Sequence, residues 1–399
     1  MQLVEQHVIN RNDTRFPLID AAAFAAKNLY NAANYIVRQS FITDGVYVNY
    51  QAMHRLMKAT EPYRALPRKV SQHVLMLLDT NWKAFFASIA TYRANPTACT
   101  GKPGLPKYLD KTKGRFTLVY TIQAISRPAL AQQVIKPSGL DIHVQTKQTR
   151  IAQVRIVPRS GCYVVEVVYA RDVVPAAVDP TRVAGMDIGL NNLAAIASNK
   201  PGFVPVLVNG RPLKHINQFY NKRKAHLQGK IGTTGTTALM ERITIRRNRQ
   251  MTHYLHTQSH RIIELLVEEG IGTLVIGKND GWKQQIAIGR RNNQNFVQVP
   301  HARFIQMLTY KAELVGIAVV VTNESHTSKC SFLDNEPVGH RERYVGKRIA
   351  RGLFRAADGR NINADVNGAY NIIRKAIPNA FGNGIGGVVV HPVGIAPTN

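Results

Sequence analysis

The chain has 399 residues, 45% of them hydrophobic, and carries 52 Lys and Arg against 24 Asp and Glu, for a net charge of +28 and a pI near 10.3. This length and hydrophobic content exclude a disordered tail and allow two or three domains. The excess of positive charge favours a polyanionic partner such as nucleic acid, although a ribosomal or membrane-surface protein can carry the same charge.

The N-terminal part combines strands with an inserted group of helices. Alternating residues predict a strand over Leu3–Ile9, and apolar spacing of three and four predicts helices over Asp20–Arg38 and Val70–Tyr92. β-Branched and aromatic runs between Arg115 and Ala170 predict antiparallel strands. We interpret residues 1–178 as an α+β half, a small β-barrel interrupted by helices at about residues 15–100.

A proline-containing link, Val174–Pro180, precedes a second domain. Its predicted elements are a buried hairpin over Arg182–Gly189 and Leu193–Ser198, a long basic helical region, a strand over Gly272–Gly277, a helix over Pro300–Val315, a strand over Ile317–Thr322 and a helix over Ala364–Ala376. Strands that alternate with helices predict a mixed α/β sheet for residues 181–399.

Cysteine usage and hydropathy bear on the compartment. The three cysteines, Cys99, Cys162 and Cys330, are too few and too far apart for a disulfide framework or a four-thiolate zinc site. No apolar run reaches the roughly 18 residues that a membrane helix needs, and residues 1–14 lack a signal-peptide core. We therefore expect a soluble cytoplasmic protein with no membrane partner.

Single carboxylates stand at the ends of apolar segments. Asp187 lies near the end of one predicted strand, Glu324 follows another, and Asp365 lies in the first turn of the last predicted helix. A few carboxylates can hold two Mg²⁺ ions, which together support phosphodiester hydrolysis. Asp187 could instead cap a turn, and Asp365 could simply complement a helix dipole.

A family resemblance favours the metal interpretation. The segments Gly185-Met186-Asp187-Ile188-Gly189 and Asn363–Ile372 resemble the first and third acidic motifs of the RuvC-like domain in TnpB-type RNA-guided nucleases of insertion sequences, which are relatives of type V CRISPR effectors. The similarity runs through most of residues 180–378 and, more loosely, through Pro103–Tyr108. It implies a β-barrel wedge domain with a helical recognition insert, followed by an RNase H-like (RuvC) α/β domain with helical insertions.

The resemblance also implies an activity and its partners. We expect an Mg²⁺-dependent, RNA-guided DNA endonuclease of a transposable element, in which Asp187, Glu324 and Asp365 hold two Mg²⁺ ions. Its expected partners are a guide RNA derived from the element end and a double-stranded DNA target, cut next to a short flanking motif. Sequence choice would then rest on base pairing, while the protein recognises helix shape and backbone.

One departure from the family concerns the second acid. Many relatives carry a catalytic glutamate at the end of the strand that corresponds to Thr273–Ile276, but this chain has Gly277 there. We expect Glu324, just after the neighbouring predicted strand, to replace it. Asp280 and Glu313 are the alternatives.

A second departure concerns zinc. Relatives commonly carry a ribbon of four cysteines between the second and third acidic motifs, and only Cys330 remains here. A mixed site with His326 and His340 lacks the paired spacing of a zinc site, so we do not expect zinc. The segment at about residues 327–356 is therefore interpreted as a degenerate, cysteine-poor target-binding insert.

Candidate nucleic-acid contacts are basic and aromatic side chains outside the acidic motifs. They are Lys107, Tyr108, Lys222, Arg223, Lys224, Arg246, Arg247, Trp282, Lys283, Arg348, Arg351 and Arg355. Trp282 could stack on a base or lie in a core, and the basic runs could also be ordinary solvated surface.

Two other functions remain open at the level of sequence. The missing acid at Gly277 would suit a nuclease-deficient RNA-guided DNA-binding protein, acting as a repressor or targeting module. A guide-free junction resolvase or RNase H-type enzyme would leave the basic N-terminal half unexplained.

Overall fold

The computed structural model describes residues 1–232, 235–279, 297–382 and 384–395. The chain divides into two compact units, Met1–Arg171 and Asp172–Asn399. Among the described residues, every helix is too short or too polar to cross a lipid bilayer.

The N-terminal unit contains a four-stranded antiparallel sheet. The strands of this unit, β1 to β6, are Gln2–Asn10, Leu118–Thr121, Val134–Ile135, Val144–Gln145, Ile151–Arg159 and Cys162–Ala170. The strand order is β1-β6-β5-β2, and β3 pairs only with β4. Within residues 1–171 the edge strands β1 and β2 do not pair with each other, so the predicted barrel is not confirmed. The four-residue β2 offers too short a ladder to continue the sheet.

A helical group is inserted between β1 and β2. Its helices α1 to α4 are Phe16–Asp44, Tyr50–Met57, Glu61–Arg64 and Arg68–Ala94, and a further short helix, α5, Arg127–Ala131, follows β2. Both predicted helices are present and longer than predicted, as α1 and α4. They pack through buried side chains that include Leu29, Leu78 and Trp82. The sequence missed α2 and α3, because their eight and four residues are too short for a periodic pattern.

The second unit is built on a six-stranded mixed sheet, which confirms the predicted α/β class. The strands of this unit, β7 to β15, include three that lie outside the large sheet. They are Asp179–Ile188, Asn192–Ser198, Val206–Asn209, Ile271–Gly277, Ala318–Thr322, Lys347–Ala350, Leu353–Arg355, Asn361–Asn363 and Val393–Ile395. Its described helices α6 to α9 are Arg211–Ile231, Ala238–Glu268, His301–Leu314 and Ala364–Ala376. The predicted long basic helical region is thus two helices, α6 and α7.

The order of the large sheet is β11-β10-β7-β8-β9-β15. Strand β8 is antiparallel to both β7 and β9, whereas β10 and β11 continue the sheet in parallel with β7. The predicted hairpin is therefore β7–β8, with Asp187 opposite Ala195. Strands β12, β13 and β14 form a separate small antiparallel sheet.

Each face of the large sheet has its own apolar core. Ala184, Met186 and Ile188 of β7 join side chains from α7 and α8 in one core. Val183 lies in the other core, with Tyr370 and other residues of α9. Because side chains alternate along a strand, positions 183, 185 and 187 all lie on the face that α9 covers.

Gly185 is the point of closest approach between β7 and α9. A Cβ atom at Gly185 would lie 2.2 Å from the carbonyl oxygen of Ala369 and 2.6 Å from Ile373 Cγ1. We expect Gly185→Ala to lower the free energy of unfolding by about 1–3 kcal/mol, since the helix backbone must move to admit the methyl group.

Chemical denaturation of the two variants Gly185→Ala and Gly229→Ala checks this expectation. Gly229 lies in α6 with no atom within 4 Å of its would-be Cβ, so the same substitution should be neutral or stabilising by up to about 1 kcal/mol. Equal effects of the two substitutions would contradict the close packing of α9 on β7.

Candidate active site

Asp187 lies at the end of β7, on the face covered by α9. The atom Oδ2 of Asp187 is 2.5 Å from the position that a Cβ of Gly368 would take. Gly368 belongs to the first turns of α9, so the carboxyl group of Asp187 packs against that helix where it carries no side chain. The residue is partly buried.

Glu324 comes two residues after β11 and lies beside Gly277, the position at which many relatives are expected to carry an acid. Strand β11 runs parallel to β10, with Thr322 opposite Gly277. A Cβ at Gly277 would lie 3.1 Å from the Cβ of Glu324 and 2.5 Å from Ile372 Cδ1. Ile372 of α9 therefore fills the space beside β10, while Glu324 enters the same region from the neighbouring strand.

Asp365 lies in the first turn of α9. The side chain of Asn363 caps this helix by accepting hydrogen bonds from the backbone N–H groups of Asp365 and Val366, at 3.0 and 3.2 Å. Asn192 of β8 donates a 2.7 Å hydrogen bond to Asp365 Oδ2. Arg348 of β12 donates to Asp365 Oδ1 at 3.4 Å. The cap and these two contacts fix the direction of the carboxylate.

The other two acids act electrostatically on Asp187. Burial, together with the negative charges of Glu324 and Asp365, raises the pKa of Asp187 to about 8 against the opposing effect of Arg348. Burial raises the pKa of Glu324 to about 7 against the opposing effect of Lys375. Carboxylates that resist ionisation in this way gain most from a bound cation.

The donor atoms of this pocket suit a hard divalent cation. Glu324 Oε1 accepts a 3.2 Å hydrogen bond from Asn279, but Glu324 Oε2 is buried without a hydrogen-bond partner. A buried oxygen of this kind is costly unless a ligand satisfies it, and Mg²⁺ prefers carboxylate oxygens. In the described parts of the chain, however, no three His, Cys, Asp or Glu side chains lie close enough together to form a complete metal-ligand set. The acids are near enough for Glu324 and Asp365 to act on the pKa of Asp187, but they do not form a closed ligand set.

The two rival acids stand differently. Asp280 lies outside the described residues. Glu313 is exposed near the end of α8 and precedes β11, whereas Glu324 follows that strand. Five strand residues between them separate the two by about 17 Å along the strand, so Glu313 stands at the other end of β11 from the pocket.

Residues that sequence reasoning missed hold the loop of Glu324 in place. Asn371 of α9 donates to the carbonyl oxygen of Thr327 at 2.9 Å, and Lys375 donates to that of Ser325, also at 2.9 Å. Asn371 also donates to the carbonyl oxygen of Cys330 at 2.7 Å. The four- and eight-residue spacing of Asn367, Asn371 and Lys375 along one helix face was the available signal.

The predicted nucleic-acid residues are spread over several elements. Lys222, Arg223 and Lys224 are exposed on α6, and Arg246 is exposed on α7. Lys107 and Tyr108 are exposed on a loop fixed to α1, where the Arg38 guanidinium lies 5.1 Å from the Tyr108 ring centre. Trp282 and Lys283 lie outside the described residues.

Arg247 differs from its basic neighbours, because its guanidinium is occupied within the protein. It donates to Asn217 Oδ1 at 2.6 and 2.8 Å and to the carbonyl oxygen of Gln298 at 2.8 Å. These bonds tie α7 to α6. We therefore leave Arg247 out of the nucleic-acid surface proposed below.

The remaining basic candidates lie on the small sheet. Arg348 reaches Asp365, as described above, and Arg351 is exposed in the turn between β12 and β13. Arg355 is exposed and donates to Asn361 Oδ1 at 3.2 Å. This sheet thus presents positive charge beside the acidic pocket.

The protein thus belongs to the α/β class, and its three acids lie between the ends of sheet strands and the helix that covers them. Two family models match the chain: OrfB_IS605, described as a probable transposase, over residues 162–283, and the Cas12f1-like TNB domain over residues 301–372. The TnpB-like protein ORF457 of Acidianus two-tailed virus is 23% identical over 410 residues, covering 92% of this chain and 82% of that protein.

A solved structure has a similar fold. A Cas12f1 determined as a complex with sgRNA and target DNA matches this chain with a TM-score of 0.56 at 15% identity, covering 88% of this chain and 81% of that one. Together with the family matches, this confirms the resemblance to TnpB-type proteins and type V effectors that the acidic motifs predicted.

The raised pKa of Asp187 predicts how pH affects the ion-free protein. Between the ordinary value of 3.8 and about 8, the folded chain binds this proton more tightly than the unfolded chain does. The free energy of unfolding should therefore fall as pH rises through this range. Asp187→Asn removes the charge. We therefore expect the free energy of unfolding of the ion-free variant to be higher than that of the wild type by at least about 1 kcal/mol at pH 8, with a smaller difference at pH 5.

Thermal and denaturant unfolding at pH 5, 6.5 and 8, in the presence of chelator, measures this difference. Asp141→Asn is the matched control, because Asp141 is exposed in the N-terminal unit. Parallel stability curves for the wild type and Asp187→Asn over the whole range would contradict the raised pKa.

Proposed function

We propose that this protein is an RNA-guided DNA endonuclease associated with a transposable element, and that Asp187, Glu324 and Asp365 hold its divalent cations. The observation that carries the proposal is that acids from the end of β7, the loop after β11 and the start of α9 lie close enough for the charges of Glu324 and Asp365 to raise the pKa of Asp187, together with its burial. The family matches to a probable transposase and to a Cas12f1-like domain support the same activity.

The position of Glu324 supports cleavage rather than binding alone. The absence of an acid at residue 277 was the main argument for a nuclease-deficient protein. Because the Cβ atoms of Glu324 and of a hypothetical side chain at residue 277 would be 3.1 Å apart, Glu324 can deliver its carboxylate to the same region. Its oxygen Oε2, which has no hydrogen-bond partner, is available there as a metal ligand.

Each residue of the site has a distinct task. Two divalent ions, when bound, would activate a water molecule and stabilise the departing oxygen of a phosphodiester. Asp187 and Glu324 would provide hard oxygen ligands from partly buried positions, and Asn192 holds the carboxylate of Asp365 in one direction. Arg348 is close enough to Asp365 to exchange that carboxylate for a phosphate oxygen of the substrate.

The choice of nucleic-acid partners follows from charge and from the relatives. With a net charge of +28, the chain can neutralise many phosphates, and distributed Lys and Arg suit a guide–target duplex recognised by its backbone. The solved Cas12f1 relative contains sgRNA and target DNA. We propose a guide RNA derived from the element end and a double-stranded DNA target that is cut beside a short flanking motif.

Cleavage by site variants tests the function directly. RNA that copurifies with the protein would be sequenced and reprogrammed, and a matching plasmid would be incubated with the complex and Mg²⁺. We expect Asp187→Ala and Glu324→Gln each to slow cleavage by more than about 100-fold, a larger loss than indirect metal partners cause. Guided DNA binding, measured in chelator, should change little.

Glu313→Gln is the matched control for Glu324→Gln, and it should cut like the wild type. Cleavage that persists in Asp187→Ala would overturn the site assignment. A wild type that binds guided DNA without cutting would favour the repressor or targeting module, and cutting of branched DNA without a guide would favour a resolvase.

The exposed cluster on α6 provides a test of RNA binding. Replacing Lys222, Arg223 and Lys224 by Ala together should weaken guide-RNA binding and reduce the salt dependence of log K by up to about 2, since each phosphate contact on single-stranded RNA contributes about 0.7. Titrations at several salt concentrations measure this slope. The charge-preserving variant Lys222→Arg/Arg223→Lys/Lys224→Arg should retain the wild-type slope, and an unchanged slope in the Ala variant would remove α6 from the RNA surface.

A further inference from the structure

The segment between the loop of Glu324 and helix α9, residues 327–363, contains no helix and only the small sheet β12–β14. We call it the insert. It contributes few large side chains to the core that it shares with α9, chiefly Phe332, Leu333, Phe354 and Ile362. A short segment with so small a core needs an additional cross-link to order its turns.

Glu336 stands at the centre of the insert as a buried acid. Its side chain is only 1% exposed. Its Oε2 accepts the backbone N–H of Ser331 at 2.7 Å, and its Oε1 accepts that of Val345 at 3.1 Å. Arg341 Nε lies 3.7 Å from Oε1. One carboxylate thus joins two turns that are well separated along the chain.

A buried carboxylate is stable only when its oxygens are hydrogen-bonded or paired with a cation. Both oxygens of Glu336 accept backbone hydrogen bonds, and an arginine supplies nearby positive charge. Joining distant turns through a few strong polar contacts at one point is also what a structural metal does in a small domain.

The side chains that could recruit a metal to the insert have other partners. Cys330 Sγ donates to the carbonyl oxygen of Gly339 at 3.7 Å, and His326 Nδ1 lies 3.1 Å from the hydroxyl of Tyr344. The rings of His326 and His340 meet edge to face with their centres 5.5 Å apart. These contacts direct the three side chains into hydrogen bonding and packing rather than into a tetrahedral ligand set.

The insert is docked on the helix that carries Asp365. Asn367 Oδ1 accepts the backbone N–H of Phe332 at 2.9 Å, and Asn367 Nδ2 donates to the carbonyl oxygen of Cys330 at 2.9 Å. Arg374 donates to the carbonyl oxygens of Phe332 and Glu336, at 3.2 and 3.4 Å. Val345, at the far side of the Glu336 cross-link, lies three residues before Arg348.

We propose that the Glu336 carboxylate is the cross-link that orders the insert in place of a metal ion, and that it thereby positions Arg348 at the acidic pocket. Glu336 is a positioning residue in this scheme, because it acts on the pocket only through Val345 and β12. Its effect on cleavage rests on the proposed nuclease function, whereas the cross-link itself does not.

Hydrogen exchange of the backbone amides tests the cross-link without any nuclease assay. Glu336→Gln has one acceptor oxygen and one donor group where the carboxylate has two acceptors, so it cannot accept both N–H groups. We expect the amides of Ser331 and Val345 to exchange at least tenfold faster in this variant. Glu342→Gln, an exposed acid in the same insert, is the matched control and should exchange like the wild type.

The wild type provides an arm that needs no substitution. Exchange of residues 327–350 should be unaltered after dialysis against a zinc chelator, and metal analysis should find far less than one zinc per chain. Faster exchange after chelation would overturn the proposal, as would unchanged exchange in Glu336→Gln. Should that variant fold poorly, Glu336→Asp keeps both acceptors on a shorter side chain and should give intermediate protection.

The positioning role is tested by a double-mutant cycle with Arg348→Ala. We expect Glu336→Gln, introduced into the wild type, to slow guided cleavage at least tenfold and to change guided DNA binding by no more than about twofold. In the Arg348→Ala background the same substitution should slow cleavage by less than a further threefold, because coupled residues do not act additively. Additive losses would show that Glu336 does not act through Arg348. If the wild type fails to cleave at all, the proposed function fails, and the exchange experiment still decides the cross-link.

Discussion

The backbone of helix α9 lies directly against β7, its side chain Ile372 packs on β10, and the proposed acidic site depends on this contact. At Gly185 the strand admits no side chain, because the carbonyl oxygen of Ala369 is 2.2 Å from where a Cβ would be. Two residues later on the same face, Asp187 reaches the first turns of α9 beside Gly368. Gly185 allows the close approach of α9, and this approach places Asp187 against the turn of α9 that carries Asp365.

This close packing has an electrostatic consequence. Burial raises the pKa of Asp187 and of Glu324, and the neighbouring acids add to the effect at Asp187, so this arrangement lowers the stability of the ion-free fold. The chain offsets part of this cost with Lys375 and Arg348 rather than with a buried salt bridge to Asp187. The exposed or half-exposed side chains of Lys375 and Arg348 can move away when a bound ion supplies a stronger positive charge, which suits the proposed binding of divalent cations and a polyanion.

The sequence predicted part of this arrangement and could not predict the rest. Asp187 and Asp365 were identifiable because each occurs in a distinctive motif at the end of an apolar element, and the β7–β8 hairpin followed from two adjacent apolar runs. The position of Glu324 depended on the parallel register that sets Thr322 opposite Gly277, which no local pattern fixes. Asn192 and Asp365, which are in contact, are separated by most of the second unit along the chain. The expected barrel is not confirmed, and strand propensity could not decide it, because closure depends on how edge strands meet.

In the proposed site the second acid is Glu324, in the loop after β11, and not a residue of β10, which changes what must hold it. A carboxylate at the end of a central strand is fixed by the sheet, but Glu324 lies beyond its strand and needs other restraints. Asn371 and Lys375 of α9 provide them by binding the backbone at Thr327 and Ser325. Asn371 also binds the carbonyl oxygen of Cys330, where the insert begins. The same helix therefore carries one acid, restrains the loop of a second and anchors the segment that brings Arg348 to the pocket, so a shift of α9 would alter all three at once.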